Sequence, residues 1–356
     1  MVSLSRTTLA GVGFASAIAL AGCGSDGGAS ANPSGGPEKL TYVAYGGSGQ
    51  DAQANAFQKP YTAAHSNVTF NNTSPADIAQ VKAQVLSWNV QWDVVAVAPA
   101  AAKQHCGRLF EKLSLPKLNP QDFASKGVGE CYVGNFANAT PFAYNADKYP
   151  DPSKAPKTIQ DFFDTTKFPG KRGVITNLQN GILEYPLLAD GVTPDKLYPL
   201  DVDHSLRKWA TIRKDTLFAP NVGALEQAVG SGQVDMFLLP DSRLYPLLND
   251  KKNIKIVWGQ TVVSINALAV PKGTKHKATA QDFLQFLAQP EQAAKVAEIM
   301  GVQPVNHNAK PQLAGNAKLV SVEGQGAAAK PVVQDVDWYA AHWDEVTTKL
   351  NNWLVG

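Results

Sequence analysis

The residues of this chain whose types and spacing could do chemistry are suited to holding a solute. Asp241 and Arg243 lie two apart, just past the apolar run Met236–Leu239. The arginine could pair with that acid or hold a carboxylate of a ligand. Asn177 and Asn180 flank Gln179 directly after the strand-like Val174-Ile175-Thr176, and Asn266 falls in a later apolar strand. Tyr45 ends an alternating strand and is followed by Gly46-Gly47-Ser48-Gly49. There the Ser48 hydroxyl and the amides of Gly47 and Gly49 could donate hydrogen bonds at a helix start. Tyr144 is a second aromatic candidate. Asp93 opens an apolar strand as a ligand acid or a turn acid, and Glu184 lies in a helix as a ligand acid or a solvated, salt-bridged one. Catalytic arrangements are not visible. Six histidines are scattered, and neither a Gly-x-Ser-x-Gly nor a His-Glu-x-x-His pattern occurs.

These residues need elements to place them. Leu40–Tyr45 reads as a strand, residues 50–65 as a helix with Phe57 and Tyr61 one turn apart, and residues 68–71 as a second strand. Residues 75–88 form an amphipathic helix behind Ser74, and residues 92–97 a strand apolar on both faces. This β-α-β-α-β order predicts a parallel α/β sheet, with ligands beyond the C-terminal strand ends. A second α/β segment begins near Tyr144. It has strands at 174–176, 232–239, 254–258 and 265–270, and helices at 182–189, 203–214 and 221–229. Helices at 280–288 and 290–300 follow, and Trp338, Tyr339, Trp343 and Trp353 close the chain on a predicted helix.

The N-terminus sets the compartment. Arg6, the apolar stretch Leu9–Leu20 and the small residues Ala21 and Gly22 read as a signal peptide, too short to span a bilayer. Leu20-Ala21-Gly22-Cys23 resembles the lipobox of bacterial lipoproteins. That resemblance implies removal of residues 1–22 and acylation of Cys23, leaving the protein lipid-anchored outside the cytoplasm. Gly24–Pro37 is almost all Gly, Ser, Ala, Asn and Pro, so residues 23–37 are expected to be a flexible tether. In an oxidising compartment the remaining pair, Cys106 and Cys131, favours a bridge over free thiols. The formal charge of +2 and the lack of a basic block argue against a nucleic-acid partner. A body of about 320 residues exceeds what one core serves, so two lobes are expected.

Several stretches, in order, carry a wider likeness. They are Trp92-Asp-Val-Val95, the Cys106 and Cys131 pair, Phe142–Lys148, Thr158–Asp164, Lys167–Arg172, Leu183–Gly191, Asp195–Leu200, Gly232–Met236 and Leu268–Gly273. Together they resemble the extracellular solute-binding proteins of ABC importers, in the polyamine (spermidine/putrescine) branch. The resemblance implies an α/β fold of two lobes (the type II periplasmic-binding-protein fold), with two hinge crossings and a ligand cleft between the lobes. Residues 38–142 and 266–320 would form lobe 1, residues 143–265 lobe 2, and residues 321–356 a C-terminal helical segment packed on both. It also implies a monomer that captures a small solute and passes it to a permease and ATPase complex, with no cofactor, no metal and no catalysis.

The cleft departs from the polyamine pattern. An aromatic and often an acid are replaced by Gly46–Gly49, and the acidic second-lobe loop by Asn177, Gln179 and Asn180. The motif before Arg243 becomes Pro240-Asp241-Ser242, and a later aromatic and Asp become Ser264 and Asn266. Negative charge and bulk are lost together, and a desolvated ammonium without a partner costs several kcal/mol, roughly. The expected solute is therefore small and polar, either zwitterionic or polyamine-like. The rival readings are a ferric-ion binder, for which no Tyr-Tyr pair exists, and a secreted hydrolase assembled from dispersed Ser, His and Asp residues.

Overall fold

A computed structural model describes residues 36–356. The expected signal peptide (1–22), Cys23 and the tether up to residue 35 lie outside the described residues. Among the described residues no helix is long and apolar enough to cross a membrane.

Strand β1 (Glu38–Val43) buries Leu40 and Tyr42 by alternation. A glycine turn leads into α1 (Gly47–Gln53), which continues through a π-helical turn into α2 (Lys59–Ala64). β2 (Val68–Thr73) pairs parallel with β1. Asp77 caps α3 (Ile78–Leu86) by accepting from the Ala79 amide at 2.7 Å. β3 (Val94–Val97) is buried along its length and pairs parallel on the other side of β1, followed by α4 (Pro99–Gln104). The β-α-β-α-β reading of this stretch matches the structure.

After the short β4 (Val128–Gly129), the long β5 (Tyr132–Asn145) leads into the second segment. That segment contains α5 (Ile159–Phe163), β6 (Arg172–Ile175), α6 (Glu184–Ala189), α7 (Val202–Thr211), β7 (Thr216–Ala219), α8 (Val222–Gly230), β8 (Met236–Leu238) and α9 (Asp241–Asn249). β9 (Ile254–Ala269) returns the chain. Then come α10 (Lys277–Leu287), α11 (Pro290–Met300), α12 (Gly315–Val320), β10 (Lys330–Val333) and α13 (Val336–Val355).

The strand order is β2-β1-β3-β9-β5-β8-β6-β7. The sheet is mixed, not purely parallel, because β9 runs antiparallel to both β3 and β5. The two long strands are the cause: one carries the chain out of the first half and the other carries it back. One apolar cluster draws on Leu40–Ala139 and Val263–Val305. Another draws mainly on Phe142–Val262, joined by Tyr339, Val346 and Leu350 of α13, and a smaller third packs beside α8 and α9. β5 thus passes between the two larger cores after Ala139, and β9 passes back between Val262 and Val263. Two cores joined by two crossing strands give a two-lobed α/β fold. Cys106 and Cys131 are disulfide-bonded, with Cα atoms 5.5 Å apart. Asp337, in the first turn of α13, pairs with Lys103 and Lys126 at 2.5 and 2.6 Å.

Candidate ligand-binding site

A polar cavity of about 480 Å³, counting its open mouth, lies where the two lobes meet the crossing strands. Tyr45, Gly49 and Gln53 come from the first lobe, and Asn177, Gln179, Asn180 and Arg243 from the second. Asn138 on β5 and Ser264 and Asn266 on β9 form its floor.

Arg243 is only 4 % exposed and is the one charged side chain in the lining. The glycine turn explains how it fits. Gly47 has φ of 59°, and a Cβ there would lie 3.0 Å from Arg243 Nη1. A Cβ on Gly49 would lie 3.2 Å from Nη2. Bare backbone therefore lets the guanidinium lie against the turn. Nη2 donates to the Gly46 carbonyl at 2.9 Å and Nη1 to Glu226 at 2.9 Å. Gly47 thus backs the arginine. Ser48 lies outside the cavity lining, its hydroxyl 3.4 Å from Glu226.

The expected Asp241–Arg243 pair does not form. Residues two apart on a helix point to different faces, and here both belong to α9. Asp241 is fully buried outside the lining, accepting the Ala139 amide at 2.8 Å and the Ser242 amide at 2.7 Å. Burial holds its carboxyl well above the usual carboxylate range. Asp93 is also placed away from the cavity, where it accepts the Thr41 amide at 2.7 Å and the Thr274 hydroxyl. Tyr144 lies past the crossing in the second core, edge-on to Tyr149 at 5.7 Å. Glu184 is neither solvated nor in the cavity lining. Its Oε1 accepts from Tyr198 and Tyr339 at 2.8 Å and from Gln334 at 2.7 Å, and burial raises its pKa.

Five of the expected residues do converge: Tyr45, Asn177, Asn180, Arg243 and Asn266. Tyr45 donates to Gln179 Oε1 across the lobes at 3.1 Å, and Gln179 Nε2 donates to the Ile265 carbonyl on β9 at 3.1 Å. Asn177 accepts the Gln179 amide at 3.1 Å, and Asn180 donates to Thr140 Oγ1 at 3.1 Å. Sequence reasoning missed Asn138 and Glu226. Asn138 lies in residues 132–141, which carry no motif, and Glu226 is 17 residues from the arginine it meets.

The amides of Asn138 and Asn266 stand apart from the rest. Their Oδ1 atoms are buried and have no hydrogen-bond partner among the described residues. An unpaired buried acceptor costs about 1–3 kcal/mol. The lining therefore includes two asparagines whose amide oxygens are buried without a partner, together with one guanidinium, and it carries no carboxylate.

Residues 56–321 match the family described as bacterial extracellular solute-binding protein. A gamma-aminobutyric acid-binding protein of Pseudomonas aeruginosa is 27 % identical over 325 residues, covering 89 % of this chain and 91 % of that one. The solved structure of a GABA receptor is 30 % identical with a TM-score of 0.77, covering 88 % and 97 % of the two chains. AgtB from A. tumefaciens R10, solved in complex with agropinic acid, is 26 % identical with a TM-score of 0.80, covering 90 % and 99 %. An ABC transporter substrate-binding protein from Bradyrhizobium japonicum USDA 110 is 26 % identical with a TM-score of 0.78, covering 89 % and 99 %. The polar interlobe cavity, the two crossing strands and these likenesses agree: the chain belongs to the bacterial extracellular solute-binding proteins, the ligand-capturing components of ABC transporters.

Proposed function

We propose that this protein captures a small zwitterion, an ω-amino acid of the γ-aminobutyrate class, and hands it to a permease and ATPase complex. The carrying observation is the charge of the lining: one arginine, no carboxylate, and two unpartnered asparagine amides. A ligand carboxylate would meet the Arg243 guanidinium, which has five N–H donors and uses two on Glu226 and Gly46. The ligand ammonium would donate to the Oδ1 atoms of Asn138 and Asn266. The γ-aminobutyrate named for two relatives supports the same chemistry. A diamine suits this lining poorly. It would bring two cations to one arginine, and both oxygens of the nearby Asp241 already hold backbone amides.

A solute that touches Tyr45 on the first lobe and Arg243 on the second would bind an arrangement with the lobes together more tightly than one with them apart. The boundaries read from the sequence, residues 38–142 with 266–320 and residues 143–265, are proposed as the lobes that close. Acylation of Cys23 would keep the protein beside its permease; replacing Cys23 with Ser should release it from the membrane fraction. The ligand test is a thermal-shift comparison of γ-aminobutyrate, putrescine and spermidine. Saturation at a hundred times Kd should add about 2.7 kcal/mol of apparent stability. The proposal expects that shift with γ-aminobutyrate, and a larger shift with either polyamine would reverse it.

A further inference from the structure

Gln179 lines three cavities at once, and no other residue does so among the described residues. The first is the polar cavity above. The second, about 730 Å³ counting its mouth, is walled largely by apolar groups, among them Pro99, Ala100, Val263, Tyr339 and Trp343. The third, about 1280 Å³ counting its mouth, opens toward α3 and α13. The Gln179 amide is held at both ends, by Tyr45 at Oε1 and by the Ile265 carbonyl at Nε2, each at 3.1 Å. It therefore stands as a fixed wall between a small polar chamber and two roomier ones.

Resting on the zwitterion reading, we infer that Gln179, braced by Tyr45, sets the maximum length of the solute. A short ω-amino acid fills the polar chamber. A longer one must push its methylenes through the place where the Gln179 amide stands, which breaks two hydrogen bonds that the ligand's apolar chain cannot replace. With that side chain cut back, the same methylenes would enter the chamber walled by Tyr339 and Trp343, where apolar burial favours them. Gln179 is thus a specificity-determining residue acting by partition.

The test is a chain-length series titrated against wild type, Gln179→Ala, Gln179→Met and Tyr45→Phe, each first shown to be folded by cooperative thermal unfolding. The probes are ω-amino acids of three to eight carbons, with parallel series of α,ω-diamines and α,ω-dicarboxylates. Wild type is expected to lose roughly tenfold or more in affinity between the short and long members. Gln179→Ala should erase that drop, and Gln179→Met, which keeps the bulk but loses both hydrogen bonds, should leave a reduced one. Tyr45→Phe, which removes only the brace, should soften it. Identical length profiles for wild type and Gln179→Ala would overturn the inference. If only the diamine or dicarboxylate series binds, the zwitterion reading fails while the cut-off is still judged on that series. If no series binds either protein, both fall.

Discussion

Two buried polar clusters lie close together in this protein and are wired in opposite ways. Around Glu184 one carboxylate oxygen receives three donors, from Tyr198, Tyr339 and Gln334. These tie α6 to α13 and to the end of β10, and Gln334 also donates to the Leu178 carbonyl at 2.7 Å. Around Asn138 and Asn266 the protein supplies acceptors and leaves them unanswered. Glu184 Oε2 is itself buried without a partner among the described residues, so the difference lies in the three donors that anchor Oε1 and tie elements together. At a cavity wall, an orphaned group is a cost that a ligand can relieve. The contrast separates the part of the interior that holds the C-terminal segment in place from the part that waits for a solute.

Substitution at either cluster should therefore move different observables. The largest effect is expected for Arg243→Ala, which removes the one cation of the lining. Solute affinity should fall about a hundredfold, roughly 3 kcal/mol, by titration calorimetry. Glu184→Ala should do the reverse. It strands the buried Tyr339 and half-buried Tyr198 phenols and should lower stability by about 2–4 kcal/mol in urea unfolding, with solute affinity little changed. Equal loss of affinity in both variants would erase the distinction between the clusters.

Smaller effects sharpen the contrast. Asn266→Leu swaps an unpartnered amide, 4 % exposed, for an apolar group of similar size. Solute affinity should drop about tenfold, while the ligand-free protein is unchanged or up to about 1 kcal/mol more stable. The smallest expected effect is one of pH. Burial raises the Glu184 carboxyl above its ordinary 4.5, so the folded protein holds that proton more tightly than the unfolded chain. The stabilisation is complete below pH 4.5 and is lost as pH rises through the folded value. Relative to Glu184→Gln, wild type should weaken steadily from pH 4.5 upward in urea titrations. A parallel pair of stability curves would contradict this.

The fold was legible where local pattern and final structure agree. Residues 38–97 alternate or run apolar in strand-length pieces with helical stretches between, and these appear in the expected order, although α3 starts at Ile78 behind Asp77 rather than behind Ser74. The two crossing strands were only partly visible. β5 carries Gly134, Asn135, Asn138 and Pro141, which break any strand pattern, so the sequence assigns no element there; its strand state comes from pairing with β9 along most of its length. β9 was seen as two strands because Gly259, Gln260 and Thr261 interrupt the apolar run. The site shows the same limit. Tyr45, Asn177, Asn180 and Asn266 follow or occupy recognisable strands, so their convergence could be anticipated. Asp93, Tyr144 and Asp241 have the right types at neighbouring places, but backbone amides and core packing claim them. The pairing of Arg243 with Glu226 depends on how α8 and α9 pack together, which no spacing encodes.

The most direct test titrates the wild-type protein with γ-aminobutyrate and with its two halves, butyrate and n-butylamine, alongside putrescine. The account predicts one-to-one binding of γ-aminobutyrate and at least a hundredfold weaker binding of each of the other three, because both charges must be answered at once. Putrescine binding as tightly as γ-aminobutyrate, or n-butylamine alone accounting for the affinity, would contradict it.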